Sequence, residues 1–215
     1  MKELFLALLI IAPFTNTNII SHHQVIATNI SISKPSKVNQ GYNQEYDVIF
    51  SNMKKQMNAV PNTGNVNLDF VIEMIPHHEG GINMAKAIVR YSSNPEVTKI
   101  AENIITSQSS EIPIMQELKT KFEKEKPSDM TDSKNYIKEY DKVKDTMFKK
   151  MKNVIITDNA DVNFLQEMIY HHEGAVGMAN NILKYTKDPE IKKLAENIVS
   201  TQSKGVEEMK SLLMD

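Results

Sequence analysis

From about residue 46 onward apolar residues return every three or four positions, and no stretch shows the strict alternation of a half-buried strand. The pattern predicts helices throughout. Tyr46–Ala59 and Tyr136–Lys152 read as shorter amphipathic helices, closed by the breaker clusters Asn62-Thr63-Gly64 and Thr157-Asp158-Asn159. Asn94-Pro95-Glu96 and Asp188-Pro189-Glu190 each combine an N-cap side chain, a proline at the first helical position and an acid in the first turn. They separate a helix ending near Tyr91 (or Tyr185) from one running to about Lys121 (or Leu213). Pro76 and Pro113 fall inside helical patterns and are expected to kink them.

The pattern is duplicated. His77-His78-Glu79-Gly80 recurs as His171-His172-Glu173-Gly174, 94 positions further on. The same offset holds without a gap from Tyr46-Asp47 against Tyr140-Asp141 to Leu118 against Leu212. Such self-similarity marks a repeated supersecondary unit. The expected organisation is a signal peptide over 1–27, an aperiodic flexible lead-in over 28–43 and a first helical repeat over 44–121. A charged linker over 122–133 and a second repeat over 134–215 follow, the two repeats forming one bundle. Neither proline is shared: Tyr170 stands opposite Pro76 and Glu207 opposite Pro113.

At about 100° per residue, His77 falls on one stripe with Phe70, Met84 and Ile88, and His78 falls near the middle of the apolar arc. Glu79, Asn83, Lys86 and Arg90 take the opposite face, and the second copy repeats the arrangement around His171 and His172. A lone histidine on an apolar face is usually a core residue with one satisfied hydrogen bond. Two adjacent inward histidines, duplicated, are harder to read so, because every buried ring needs partners.

Composition sharpens this. The chain has 215 residues, 40% hydrophobic and 24% charged, with a formal net charge of −2 and mixed signs, so no basic stripe suggests nucleic acid. Cysteine is absent, which removes disulfides and thiolate ligands, whereas methionine reaches 13. Five methionine pairs match across the repeat: Met53/Met147, Met57/Met151, Met74/Met168, Met84/Met178 and Met115/Met209. A methionine stripe is commonly packing. Here Met74 precedes His77 by three residues and His78 by four, so its thioether can lie beside either ring. Thioether and imidazole without thiolate or a carboxylate cluster select Cu(I) or a similar soft ion such as Ag(I), with Cu(II) at the imidazoles. Gln108 and Gln202, amid apolar stripes, are candidates either to orient a histidine or to bond helix to helix.

The strings Glu73-Met74-Ile75-Pro76-His77-His78-Glu79-Gly80-Gly81-Ile82-Asn83-Met84-Ala85 and Glu167-Met168-Ile169-Tyr170-His171-His172-Glu173-Gly174-Ala175-Val176-Gly177-Met178-Ala179 resemble the signature of the domain of unknown function 305 family. The resemblance spans about residues 46–213. It implies an all-α, ferritin-like four-helix bundle with additional short helices, in an exported bacterial protein, with copper or silver binding in some members. By motif it implicates Met74, His77, His78 and Met84, then Met168, His171, His172 and Met178.

Export is also expected from the apolar run Leu4–Phe14 after Lys2, too short to span a bilayer comfortably and followed by Val25-Ile26-Ala27; an uncleaved anchor is the competing reading. His22 and His23 lie in that segment and are given no role. No nucleophile elbow, catalytic triad or phosphate loop is visible, so a metal-binding protein is expected rather than an enzyme. Two alternatives stand beside it: a metal-free structural or partner-binding bundle, and a di-iron oxidase, which would need Glu-x-x-His on two helices.

Overall fold

The structure, a computed structural model, describes residues 37–214. It contains six helices: α1 (Lys37–Ala59), α2 (Val66–Tyr91), α3 (Pro95–Phe122), α4 (Met130–Lys152), α5 (Ala160–Ile182) and α6 (Pro189–Leu212). No strand occurs among the described residues. The N-cap signals act as read: Asn94 accepts from the amides of Glu96 and Val97, and Asp188 from those of Glu190 and Ile191. Asn65 and Asn159 cap α2 and α5 in the same way. Both Pro76 and Pro113 lie within continuous helices.

Each repeat is a three-helix unit. The middle helices α2 and α5 pack against each other at the centre; α1 and α3 flank α2, and α4 and α6 flank α5. The inner bundle is therefore α2, α3, α5 and α6, with α1 and α4 added outside. Phe70, Phe164, Ile88, Ile182 and the five matched methionine pairs fill the core.

Two boundaries differ from expectation. Residues 37–43, read as flexible lead-in, form the first turns of α1, and 130–133, read as linker, begin α4. Distant partners decide the first and a local cap the second. Tyr42 is fully buried and donates to Glu167 Oε2 at 2.7 Å, while Asn39 Oδ1 accepts from the Ala160 amide at 3.1 Å. Asp129 caps α4 and makes its start local. The segment expected as signal peptide, with His22 and His23, lies outside the described residues.

Candidate metal centre

The wheel argument places the histidines inside, and they are inside: His77, His78 and His171 are 0% exposed and His172 is 3% exposed. Docking α2 on α5 then does what no single helix could. His77 and His171 stack face to face, ring centroids 3.8 Å apart and 28° from parallel. Each ring bonds the other's backbone: His77 Nε2 donates to His171 O at 3.2 Å, and His171 Nε2 to His77 O at 3.0 Å. A carbonyl can only accept, so this geometry puts the ring proton on Nε2 and leaves a lone pair on Nδ1.

His78 and His172 extend the pair into a row. Successive centroids from His78 through His77 and His171 to His172 are 5.9, 3.8 and 5.8 Å apart. At one end His78 Nε2 meets Glu111 Oε2 at 2.6 Å, and Glu111 Oε1 accepts from Asn197 Nδ2 at 2.7 Å. At the other end the position equivalent to Glu111 is Gly205, and His172 has no hydrogen bond among the described residues. Nδ1 of all four rings is buried without a partner.

Burial, reinforced by the neighbouring imidazoles, holds His77 well below the usual imidazole range. Burial pulls His171 down to about 3 against the opposing hydrogen bond to the His77 backbone. Burial and then His171 and His78 lower His172. These rings are neutral at pH 7, the protonation state a metal ion requires. A ring anchored through Nε2 to a carbonyl or carboxylate, with Nδ1 free, is the arrangement by which a second layer of contacts orients a ligating histidine.

Met74, Met84, Met168 and Met178 are fully buried on the same two helices. Met53 and Met147, which sequence leaves between ligand and core, are also brought in. The sulfur of Met53 lies on Gly80, between the levels of His77 and Met84, and Met147 lies on Gly174 in the same way; a Cβ at either glycine would collide with it. Three His, Asp or Glu side chains converging to hold an ion are not found among the described residues. A complete shell therefore needs sulfur or amide donors besides imidazole. Gln108 and Gln202 are candidates: both are buried and neither amide has any partner, so neither makes the helix-to-helix bond that was the alternative. Gln108 Oε1 and the His171 ring both crowd Gly81, 2.5 and 2.6 Å from where its Cβ would stand.

Glu111 was not singled out from sequence, though a signal existed. It lies three residues after Gln108 on the buried stripe and breaks the repeat by standing opposite Gly205. Glu73 and Glu167, four residues before His77 and His171, turn to tyrosines: Tyr136 donates to Glu73 at 2.8 Å and Tyr42 to Glu167 at 2.7 Å.

Fold and site together define a duplicated, all-helical protein with a buried row of imidazoles between its halves. The chain belongs to the family described as domain of unknown function (DUF305), which matches residues 67–213. Among solved structures it is similar to CopM in a Ag-bound form, at 30% identity and TM-score 0.52, covering 69% of this chain and 94% of that one. CopM in the Cu(I)-bound form matches at 28% identity and TM-score 0.52, covering 69% and 95%. A DUF305 fragment from Deinococcus radiodurans, at 24% identity and TM-score 0.51 over 69% and 95%, bears on the fold alone. Among curated proteins, the uncharacterized protein L153 of Acanthamoeba polyphaga mimivirus is 43% identical over 53 residues, 25% of this chain. The match spans 35% of that relative's length. No helix among the described residues is long and apolar enough to cross a membrane.

Proposed function

We propose that the protein sequesters or carries a soft metal ion, copper(I) foremost and silver(I) by the same chemistry, outside the cytoplasm and without catalysing a reaction. The ion is cargo, taken by Nδ1 of His77, His78, His171 and His172 with the thioethers of Met74, Met84, Met168 and Met178. Cu(II) also binds at the imidazoles, without need of the thioethers. The observation that carries the reading is the set of four buried, unpartnered Nδ1 atoms. Each buried polar atom left unmade costs about 1–3 kcal/mol, and a metal-free bundle has no use for such a row. The similar CopM, solved with Ag, Cu(I) and Cu(II), supports the same class of ion. Nothing comparable favours a di-iron centre: of the three buried glutamates, Glu73 and Glu167 are engaged by tyrosines, and Glu111 by His78 and Asn197.

The test is anaerobic Cu(I) titration against a competing chelator. Wild type is expected to bind stoichiometrically. At a hundredfold excess over the dissociation constant, binding to the native state alone raises stability by about 2.7 kcal/mol. Met74→Leu with Met168→Leu preserves volume and costs the apo protein roughly under 1.5 kcal/mol per site. It should weaken Cu(I) far more than Cu(II). Equal copper shifts in both proteins would make the methionines packing alone; no binding by wild type would return the chain to a metal-free bundle. Export rests on Leu4–Phe14, and N-terminal sequencing of secreted material should begin near Thr28; a full-length product confined to the cytosol would refute it.

A further inference from the structure

The two ends of the histidine row are not alike. At the His78 end a carboxylate occupies Nε2, and that carboxylate is itself held by Asn197. At the His172 end residue 205 has no side chain. A Cβ there would stand 3.0 Å from His172 Cδ2 and 3.3 Å from Nε2, so the missing atom leaves this nitrogen uncovered. Gly205 lines a cleft of about 210 Å3 between α3 and α6. Its exposed rim carries Asn103, Ser107, Thr201 and Lys204, its walls include Ile100, Ile104, Glu208 and, toward the His78 end, Glu111, and its floor is His172 with the unpartnered amides of Gln108 and Gln202. The cleft thus runs from solvent toward buried donor atoms that no group in the described protein satisfies.

We infer that the cleft between α3 and α6 is the port through which a soft metal ion reaches the histidine row, with Gln108 and Gln202 as way-stations, His172 as the first imidazole met, and Gly205 as the residue that keeps this end open while Glu111 closes the other. The inference rests on the soft-metal reading and adds a direction to it. A carboxamide oxygen is a weak, exchangeable donor that replaces part of an ion's hydration shell without trapping it, and the imidazole behind it is the better ligand for a soft ion. The repeat is therefore duplicated in fold but divided in role: one copy opens the row and the other terminates it.

The experiment compares wild type, Gly205→Glu and Glu111→Ala, each checked for native helicity. Gly205→Glu rebuilds at the open end the residue of the closed end; Gly205→Ala serves if the larger side chain prevents folding. Two quantities are read. The first is carbethoxylation of each histidine by diethyl pyrocarbonate in the apo protein, mapped by mass spectrometry. The second is the rate of Ag(I) uptake from silver nitrate, quenched with thiosulfate, alongside the amount bound at equilibrium. His172 should be modified at least tenfold faster than His77, His78 or His171. Gly205→Glu, or Gly205→Ala, should slow both this reaction and Ag(I) uptake at least tenfold, and Glu111→Ala should raise the reactivity of His78. Equal uptake rates in wild type and the Gly205 variants, with Ag(I) still bound at equilibrium, overturn the port and leave the metal reading intact. Failure of wild type to bind Ag(I) at equilibrium overturns both.

Discussion

The phenol of Tyr42 in α1 reaches Glu167 in α5 at 2.7 Å, and ninety-four residues on Tyr136 in α4 makes the same bond to Glu73 in α2 at 2.8 Å. Each outer helix is thus fastened to the central helix of the opposite repeat, and the fastening is polar, buried and reciprocal. Together with the exchanged histidine–carbonyl bonds it gives the two halves their pseudo-two-fold relation.

Removing one phenol leaves a buried carboxyl without its donor. Tyr42→Phe and Tyr136→Phe should each destabilise by about 1–3 kcal/mol in urea unfolding, and Tyr42→Phe combined with Glu167→Met should recover most of the loss, since neither polar group then remains. Single Phe variants as stable as wild type would show that the pairs contribute packing alone.

These carboxyls and the histidines bend stability with pH in opposite senses. Burial pushes Glu167 up to about 8, opposed by the Tyr42 hydrogen bond, and burial raises Glu73 well above its ordinary value. A raised folded value means the contribution is complete below the unfolded value, about 4.5, and is lost as pH rises through about 8. His77, His171 and His172 are lowered, so their contribution is present above about 6.5 and is lost as pH falls toward about 3. Melting temperature of the apo protein should peak between roughly pH 4.5 and 6.5. Glu167→Gln should flatten the alkaline side and leave the acid side unchanged; a monotonic profile in wild type would contradict the assignment.

Gly80 and Gly174 exist for the sulfurs of Met53 and Met147. Gly80→Ala drives Cβ into the Met53 side chain, and overpacking of this kind costs roughly 1–3 kcal/mol. Met53→Ala in the same chain should relieve that collision, so the double variant should lose less than the two single losses added. Additive losses in thermal unfolding would mean that the glycine and the methionine do not meet.

Much of this was legible in the residues. The caps at Asn94 and Asp188, the breakers before α2 and α5, and the inward faces of His77, His78, His171 and His172 follow from local chemistry and a 3.6-residue period, which is why they survive unchanged in the fold. The start of α1 was not legible, because the run Lys37–Asn43 has no apolar period of its own and is ordered by Glu167 and Ala160, more than a hundred residues away. The stacking of His77 on His171 was hidden for the same reason: it depends on how α2 docks on α5. Glu111 was within reach, since setting it against Gly205 exposes the break in the repeat, but a charged residue on an apolar stripe gains meaning only when its partner His78 is placed beside it.

The central claim is that the imidazoles receive the ion through Nδ1. It is tested most directly by long-range 15N–1H NMR of the histidine rings, recorded on apo protein and after stoichiometric addition of diamagnetic Ag(I). The apo spectra should show neutral rings at His77, His171 and His172, with Nε2 protonated in His77 and His171. Silver should move the Nδ1 resonances of the row and leave those two Nε2 protons in place on the carbonyls of His171 and His77. If Ag(I) binds while all four ring spectra stay unchanged, the histidine row is packing and the ion is held elsewhere; if silver displaces the Nε2 protons instead, the rings take the ion through the other nitrogen and the claim for Nδ1 is contradicted.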